Sequence, residues 1–303
     1  MDISIIIPNY NGARVLEKNL PKVLEAIRGY KEKVDIIVSD DASSDTSLEV
    51  IKKFPVKIVE NTKNDQRGFS SNINRAVAHA TGEILLLLNT DVIPQKGFLE
   101  PLLTHFTNPE VFAVGCMDQS IENNKKVLRG VGVGRWEKGF FMHSAGNIEQ
   151  YDTLWVNGGS GAFRKSIWRK IGGLEELYDP FYWEDIDLSY RAQKEGFQVI
   201  FEPKSIVIHE HEKGSIKTQF QQKYVTKIAY RNQFLFVWLN VTDASLIVSH
   251  LLWLPYHLIN ALIHRDGIFL LGFCQAFIKL PRVMKIRKRN KKHFVKKDRE
   301  IVS

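Results

Sequence analysis

Two hydrophobic periods alternate along the start of the chain. Ile3–Ile7 is a β-branched apolar run that predicts a strand. Leu16, Leu20, Val23, Leu24 and Ile27 then recur at helical spacing. Ile36–Val38 predicts a second strand, and Ser43–Thr46 supplies caps for a helix through Val50 and Ile51. Val56–Val59 predicts a third strand, and Ile73, Ala76, Val77 and Ala80 mark the next helix. Ile84–Leu88 is apolar throughout, as the buried centre of a parallel sheet requires. The βαβαβαβ order predicts an α/β fold with a doubly wound, mostly parallel sheet and right-handed crossovers.

Such sheets bind ligands at the carboxyl ends of their strands. Three polar loops follow strands here: Pro8-Asn9-Tyr10-Asn11-Gly12, Ser39-Asp40-Asp41-Ala42-Ser43 and Asn89-Thr90-Asp91. None carries a GxGxxG or a P-loop lysine, which argues against a dinucleotide dehydrogenase or a phosphate-loop enzyme. Residues 117–160 are rich in glycine and aromatics and predict loops and short antiparallel strands beside the sheet. Leu246–Ile263 is apolar except at Ser249, His250, His257 and Asn260 and is expected to be broken by Pro255, and Gly267–Pro281 is a second apolar stretch. The first is marginal for a span of ~20 residues and the second is too short. An in-plane or re-entrant pair of helices is expected, the alternative being a hairpin packed on the protein or on a second copy.

The 303 residues suit one α/β domain with an appendage. The net charge of +8 changes the picture by its placement. Lys285, Arg287, Lys288, Arg289, Lys291, Lys292, Lys296 and Lys297 form one block beside the apolar stretches. That points to an anionic membrane surface, at roughly 1 kcal/mol per cation, and away from nucleic acid, which calls for cations spread among aromatics on a folded face. Cys116 and Cys274 lie in apolar contexts, so neither a disulfide framework nor a zinc knuckle is expected. The start of the chain lacks the features of a secretory signal.

Candidate chemistry falls in four places. Asp40 and Asp41 end a strand; one can accept hydrogen bonds from a ribose or a pyrimidine N–H, and one can equally cap the following helix. In Asn89-Thr90-Asp91 the carboxylate can hold a divalent cation, Mg²⁺ or Mn²⁺, or close an Asx-turn. Glu184, Asp185 and Asp187 follow Phe181, Tyr182 and Trp183. Acids favour a helix N-terminus, yet an aromatic pocket also raises a carboxylate's pKa, as a general base requires. His209 ends the run Ile206–Ile208, where it can ligate a metal or make an ordinary hydrogen bond, and His211 is close by.

In order and spacing these segments resemble the inverting family 2 glycosyltransferases of the GT-A fold. Within them they resemble the rhamnosyltransferase-like enzymes of bacterial surface-polysaccharide biosynthesis. The resemblance covers residues 3–215 and implies a GT-A catalytic domain over 1–215 and a helical, apolar and basic membrane-associating region over 216–303. Ser4–Gly12 resembles the first strand and nucleotide-binding loop, placing Pro8 and Tyr10 at the nucleotide. Val38–Asp45 resembles the second, whose aspartates, here Asp40 and Asp41, contact base and ribose. Asn64, Gly68-Phe69 and Asn74 resemble a block near the diphosphate. Leu88-Asn89-Thr90-Asp91 stands where the family has its DxD-type metal motif; with Asn first, Asp91 is the expected metal ligand, and Asn89 and Thr90 flank it at the donor. Gly158–Arg164 is similar to the segment shaping the donor-sugar and acceptor sides. Gly172–Glu176 through Trp183–Leu188 resembles the acceptor block, whose Glu-Asp pair maps to Glu184 and Asp185, with Asp185 as the base. His209, rather than His211, fits the histidine near the metal and diphosphate.

The resemblance implies a single in-line displacement of a UDP- or dTDP-sugar by a glycan or lipid-linked acceptor, assisted by a divalent cation, of hexosyl or rhamnosyl type. The expected place is the cytoplasmic face of the cell membrane, as a peripheral or monotopic protein. Two rivals remain: a nucleotidyltransferase, which would want a Gly-rich loop with Arg and Lys after the first strand, and a non-catalytic membrane-bound glycan-binding or scaffolding subunit.

Overall fold

The computed structural model of the chain describes residues 1–62, 65, 67–122, 125–209 and 219–302. Its first half follows the alternation of the sequence: β1 (Ile3–Asn9), α1 (Ala13–Ala26), β2 (Val34–Asp40), α2 (Ser47–Ile51), β3 (Lys57–Glu60), α3 (Phe69–Ala78) and β4 (Ile84–Leu88). These four strands are parallel in the order β3-β2-β1-β4. Period two divides β4 between two cores. Ile84, Leu86 and Leu88 pack with Leu16, Leu20 and Val23 of α1, while Leu85 and Leu87 pack with Ile73, Ala76 and Val77 of α3. Each such side chain contributes about 1.5–3 kcal/mol by leaving water.

Beyond β4 the sheet becomes mixed. The chain continues through β5 (Val92–Pro94), α4 (Leu99–Thr104), β6 (Val111–Glu122), β7 (Lys125–Arg129), β8 (Gly132–Glu137), β9 (Phe140–Ala145) and β10 (Ser160–Arg164). It then forms α5 (Lys165–Ile171), α6 (Glu184–Lys194) and β11 (Gln198–His209). β10 lies antiparallel between β4 and β6, β11 runs parallel to β6, and β5 closes the edge antiparallel to β11. Residues 117–160 do supply antiparallel strands, β7 and the separate β8–β9 hairpin. However, β6 itself runs through the sheet's interior to Glu122 rather than beside it. Its residues feed both cores, Val111, Val114 and Cys116 in one and Phe112 and Ala113 in the other, with a register shift against β11 at Val111/Ala113.

The C-terminal part is helical: α7 (Gln222–Asn240), α8 (Ala244–Ile263), α9 (Gly267–Ile278) and α10 (Leu280–Asn290). The boundary expected at 215/216 falls outside the described residues. α7 packs inward, and Phe234, Leu235 and Phe236 share one core with Phe140, Phe141, Tyr178, Trp183 and Tyr190. Pro255 does not break α8, which runs through all 20 of its residues. Among the described residues α8 is the one helix long and apolar enough to cross a membrane by itself; α9 with the turns to His293 qualifies only as a pair bent by 62°. The basic block is ordered as α10 and a docked tail. Asp298 is fully buried, 2.7 Å from Lys194 Nζ at the end of α6.

Candidate active site

The loops after β1 and β2 are tied to each other before they can bind anything else. Asp40 accepts hydrogen bonds from Asn9 Nδ2 (2.7 Å), Ser43 N (2.9 Å) and Ser43 Oγ (2.6 Å). It is buried and does not line the cavity described below. Its neighbour Asp41 does line the cavity, and Ala42 after it takes a left-handed φ of 55° in the turn. Asp41 accepts from Asn61 Nδ2 (3.0 Å) and from the Gly68 N–H (3.0 Å). Burial pushes its carboxyl upward, against the pull of those bonds and of Arg67. The Arg67 guanidinium lies 5.0 Å over the Tyr10 ring and donates to Asp41 O (2.8 Å). Pro8 and Tyr10 complete this end of the cavity.

On α3 the expected asparagine faces away. Asn74 donates to Leu174 O (2.8 Å) and accepts from Leu174 N (3.0 Å), fastening α3 to the segment before α6. Asn72 lines the cavity instead, with its amide anchored to Ser39 and Asn61. Positions two apart on a helix point to nearly opposite sides. Asn64 and His211 lie outside the described residues.

A short turn joins β4 to β5. Val92 N donates to Asn89 O (3.0 Å), and Asn89 N donates to Gly159 O (2.9 Å). A Cβ on Gly159 would lie 2.3 Å from Asn89 Nδ2, so this approach needs glycine. Asn89, Thr90 and Asp91 all line the cavity. Asp91 meets His209 from the end of β11, with His209 Nε2 3.4 Å from Asp91 Oδ2. On its other side His209 Nδ1 is 2.7 Å from Asp118 Oδ2, and Ser120 Oγ donates to Asp118 Oδ1 (2.9 Å). Burial works against charge on His209, but the hydrogen bonds and charges of Asp118 and Asp91 outweigh it and carry its pKa up to about 9.

Asp91 and His209 fit one face of a divalent cation. No cluster of three or more His, Cys, Asp or Glu suited to a metal occurs among the described residues. Two protein ligands are nonetheless ordinary for Mg²⁺ held mainly by phosphate oxygens and water. A carboxylate behind the histidine's far nitrogen is the usual way such a ring is aimed.

The third group opens α6. Tyr182 and Trp183 take successive left-handed φ values of 72° and 78°. Such strain persists only where its surroundings enforce it. Asn232 Nδ2 does so from α7, lying 2.8–2.9 Å from the carbonyls of Tyr178, Phe181 and Tyr182. The turn delivers Glu184 and Asp185 to the cavity. Asp187 points inward to Arg191 (2.7 Å), Tyr178 Oη (3.1 Å) and Asn240 (2.7 Å). Burial, then the charge of Asp185, pushes the Glu184 carboxyl far up, and its Oε2 has no hydrogen-bond partner. Burial also raises Asp185, but the N–H groups of Gly158 (3.3 Å) and Ile186 (2.8 Å) oppose it.

One cavity of about 500 Å³ brings these groups together. Asp41, Arg67 and Tyr10 stand with the Asp91–His209 pair and the Glu184–Asp185 pair, and Phe181 and Phe220 add an aromatic wall. Arg67, Asn72, Asp118 and Phe220 were not singled out in the sequence. Asp118 carried one signal, as the first charge after the buried run Val111–Met117.

The profile of "Glycosyl transferase family 2" matches residues 4–172. The chain is 26% identical over 239 residues to the "Pre-mycofactocin glycosyltransferase" of Mycobacterium tuberculosis, covering 76% of this chain and 46% of that protein. It thus spans about half the length of that relative. Among solved structures it is similar to GalNAc-T7 with UDP, GalNAc and Mn²⁺, at TM-score 0.64 and 18% identity, over 79% of this chain and 48% of that one. It is also similar to residues 1–349 of S. aureus TarS in complex with UDP-GlcNAc, at TM-score 0.61 and 14% identity, over 97% of this chain and 88% of that one. These likenesses show the GT-A fold.

Proposed function

The chain belongs to glycosyl transferase family 2, and from that premise we propose that it transfers a sugar, with inversion, from a nucleoside-diphosphate donor (UDP- or dTDP-linked) to a glycan or lipid-linked acceptor in cell-surface polysaccharide biosynthesis. One observation carries this reading: a single cavity is lined both by the Asp91–His209 pair and by the Glu184–Asp185 pair. A polar end for a nucleoside lies on the same cavity.

Asp41 accepts from the base or ribose, and the Tyr10 ring with Arg67 covers the nucleoside. Asp91 and His209 Nε2 would hold a divalent cation, which would supply positive charge against the leaving diphosphate. Burial raises the Glu184 carboxyl and so favours its protonated form. Asp185 takes the proton of the acceptor hydroxyl, whose oxygen attacks the anomeric carbon from the face opposite the nucleotide. The new glycosidic bond forms as the bond to the diphosphate breaks, so configuration inverts. The fold neighbour captured with UDP-GlcNAc supports a donor of this class.

The outward apolar side chains of α8 support a peripheral or monotopic place at the cytoplasmic face of the cell membrane, where a lipid-linked acceptor is at hand. The test is release of nucleoside diphosphate from a panel of UDP-, dTDP- and GDP-sugars, with and without Mn²⁺ or Mg²⁺, beside Asp91→Ala. Metal-dependent release of one diphosphate, lost in the variant, is the expected result. Absence of both release and donor binding across the panel would favour the non-catalytic scaffold.

A further inference from the structure

α8 is built inside out. Three of its polar side chains, Ser249, His250 and His257, bond to the protein. Ser249 Oγ accepts from Trp136 Nε1 (3.1 Å), and His250 Nε2 accepts from Trp238 Nε1 (3.0 Å). His250 Nδ1 lies 2.7 Å from Gly139 O, and His257 Nε2 lies 2.7 Å from Lys138 O. Many of its apolar side chains face outward: Leu252 is 74% exposed, Leu262 64% and Ile263 70%. A helix on a water-facing surface shows the reverse arrangement. The apolar face continues on α9 through the exposed Leu271, Phe277 and Ile278. Exposed cations flank this face, Arg265 at the α8–α9 turn and Lys288 on α10, neither ion-paired to a carboxylate among the described residues, whereas Arg282 and Lys285 line a second cavity with Glu175 and Glu176.

We propose that α8 and α9 lie in the plane of one leaflet of an anionic bilayer and that α8 does not cross it. This rests on the membrane placement proposed above and gives it a geometry. An exposed apolar surface of this extent marks a partner or a membrane. The unpaired cations beside it choose between them. An anionic leaflet complements them, whereas a second copy of the chain would bring a like row of charge to the contact. The in-plane orientation follows from the seam. Leu246, Ile247 and Leu254 pack on the protein core, and Ala261 is buried near the far end. The inner side of α8 is therefore engaged along most of its length. To cross the bilayer, α8 would have to leave this seam or draw the tip of the β8–β9 hairpin, with Lys138, into hydrocarbon.

The experiment uses the full chain and vesicles of phosphatidylcholine with and without phosphatidylglycerol. Flotation with the anionic vesicles is expected, weaker at high salt. Leu252→Glu combined with Ile259→Glu is expected to weaken it about tenfold or more, while circular dichroism and release of nucleoside diphosphate from the donor stay as in the parent. Those last two readouts separate failure of this geometry from failure of the catalytic reading. For orientation, His264→Cys in a Cys274→Ser background places a thiol at the α8–α9 turn. Labelling by an impermeant maleimide added outside the vesicles supports the in-plane arrangement, and protection until detergent is added overturns it. Failure to float, with or without a solution dimer that the two glutamates dissociate, also overturns the proposal.

Discussion

Adjacent carboxylates in this site have different fates, and the difference lies in what surrounds each one. Glu184 is buried with Oε2 unpartnered, whereas Asp185 receives two backbone N–H groups. Those N–H groups favour the ionised form of Asp185 against the effect of burial, which is why the proposed base is Asp185 rather than Glu184. Asp185→Asn is expected to lower kcat by about 10²–10⁴-fold, with donor affinity by calorimetry little changed. Glu184→Gln, which mimics the protonated acid, should cost less, and the reverse ranking would sink the assignment. Asp118 acts one step further back. Its carboxylate fixes His209 by Nδ1 and so leaves Nε2 toward Asp91. Asp118→Asn should weaken Mn²⁺ binding by about 10–100-fold, read by electron paramagnetic resonance in the presence of UDP; unchanged binding would remove Asp118 from this role. The sequence located these clusters but not always the member that lines the cavity. Asp40 and Asp41 are indistinguishable on paper. Only the Asn9 and Ser43 contacts show that Asp40 ties loops together. Asn72 and Asn74 differ likewise by which side of α3 meets Leu174.

Elements buried on both faces announce themselves, and elements that borrow their stability do not. β1 and β4 are continuous apolar runs, so the parallel half of the sheet was legible at once. β10 is Ser160-Gly161-Ala162-Phe163-Arg164, too short and glycine-bearing to read as a strand, yet it sits between β4 and β6. Its place is set by partners across the sheet rather than by its own periodicity. The start of α3 shows the same dependence. Gly68 has φ 139° and ψ 173°, a conformation open essentially to glycine, and a Cβ there would lie 2.5 Å from the Asp179 carboxylate. Its N–H serves Asp41, while the Phe69 and Ser70 N–H groups bind Pro180 O and Asp179 Oδ1. Gly68→Ala should therefore cost about 1–3 kcal/mol of stability. It should also weaken nucleotide binding, because the same residue fixes Asp41. Calorimetric melting and UDP titration on one preparation check both effects, and a loss of stability alone would separate Asp41 from the donor.

At the scale of the whole molecule, α7 joins the two functional surfaces. Its first turns pack against Phe181 and Phe220 of the cavity wall, and its other side receives α9, where Gly272 allows an approach close to Tyr230 and the Lys227 carbonyl. An acceptor arriving from a leaflet on α9 would thus be separated from the cavity by about one helix diameter, roughly 10 Å. The tail closes the assembly from behind. Lys194, at the far end of the helix that carries Asp185, meets Asp298 across 104 positions of sequence, a pairing no local pattern could reveal. Asp298 also accepts from Tyr190 Oη (2.7 Å), Thr242 N (2.6 Å) and Asp243 N (2.6 Å), which binds α6, the α7–α8 connection and the chain end at one buried point. Burial alone would raise this carboxyl, but the bonds from Lys194 and Tyr190 override it and hold its pKa below the ordinary 3.8. The stability it supplies is therefore complete above pH 3.8 and is lost as pH falls through the lower, folded value. Asp298→Ala strands the Lys194 ammonium without its counter-charge and should cost about 3–5 kcal/mol. Lys194→Met with Asp298→Leu removes both charges and should recover part of that, the remainder being the lost acceptor of Tyr190 Oη and the Thr242 and Asp243 N–H groups. Urea unfolding of the three proteins at neutral pH decides the matter. A single variant as stable as the parent would mean that the tail rests on α6 without holding it.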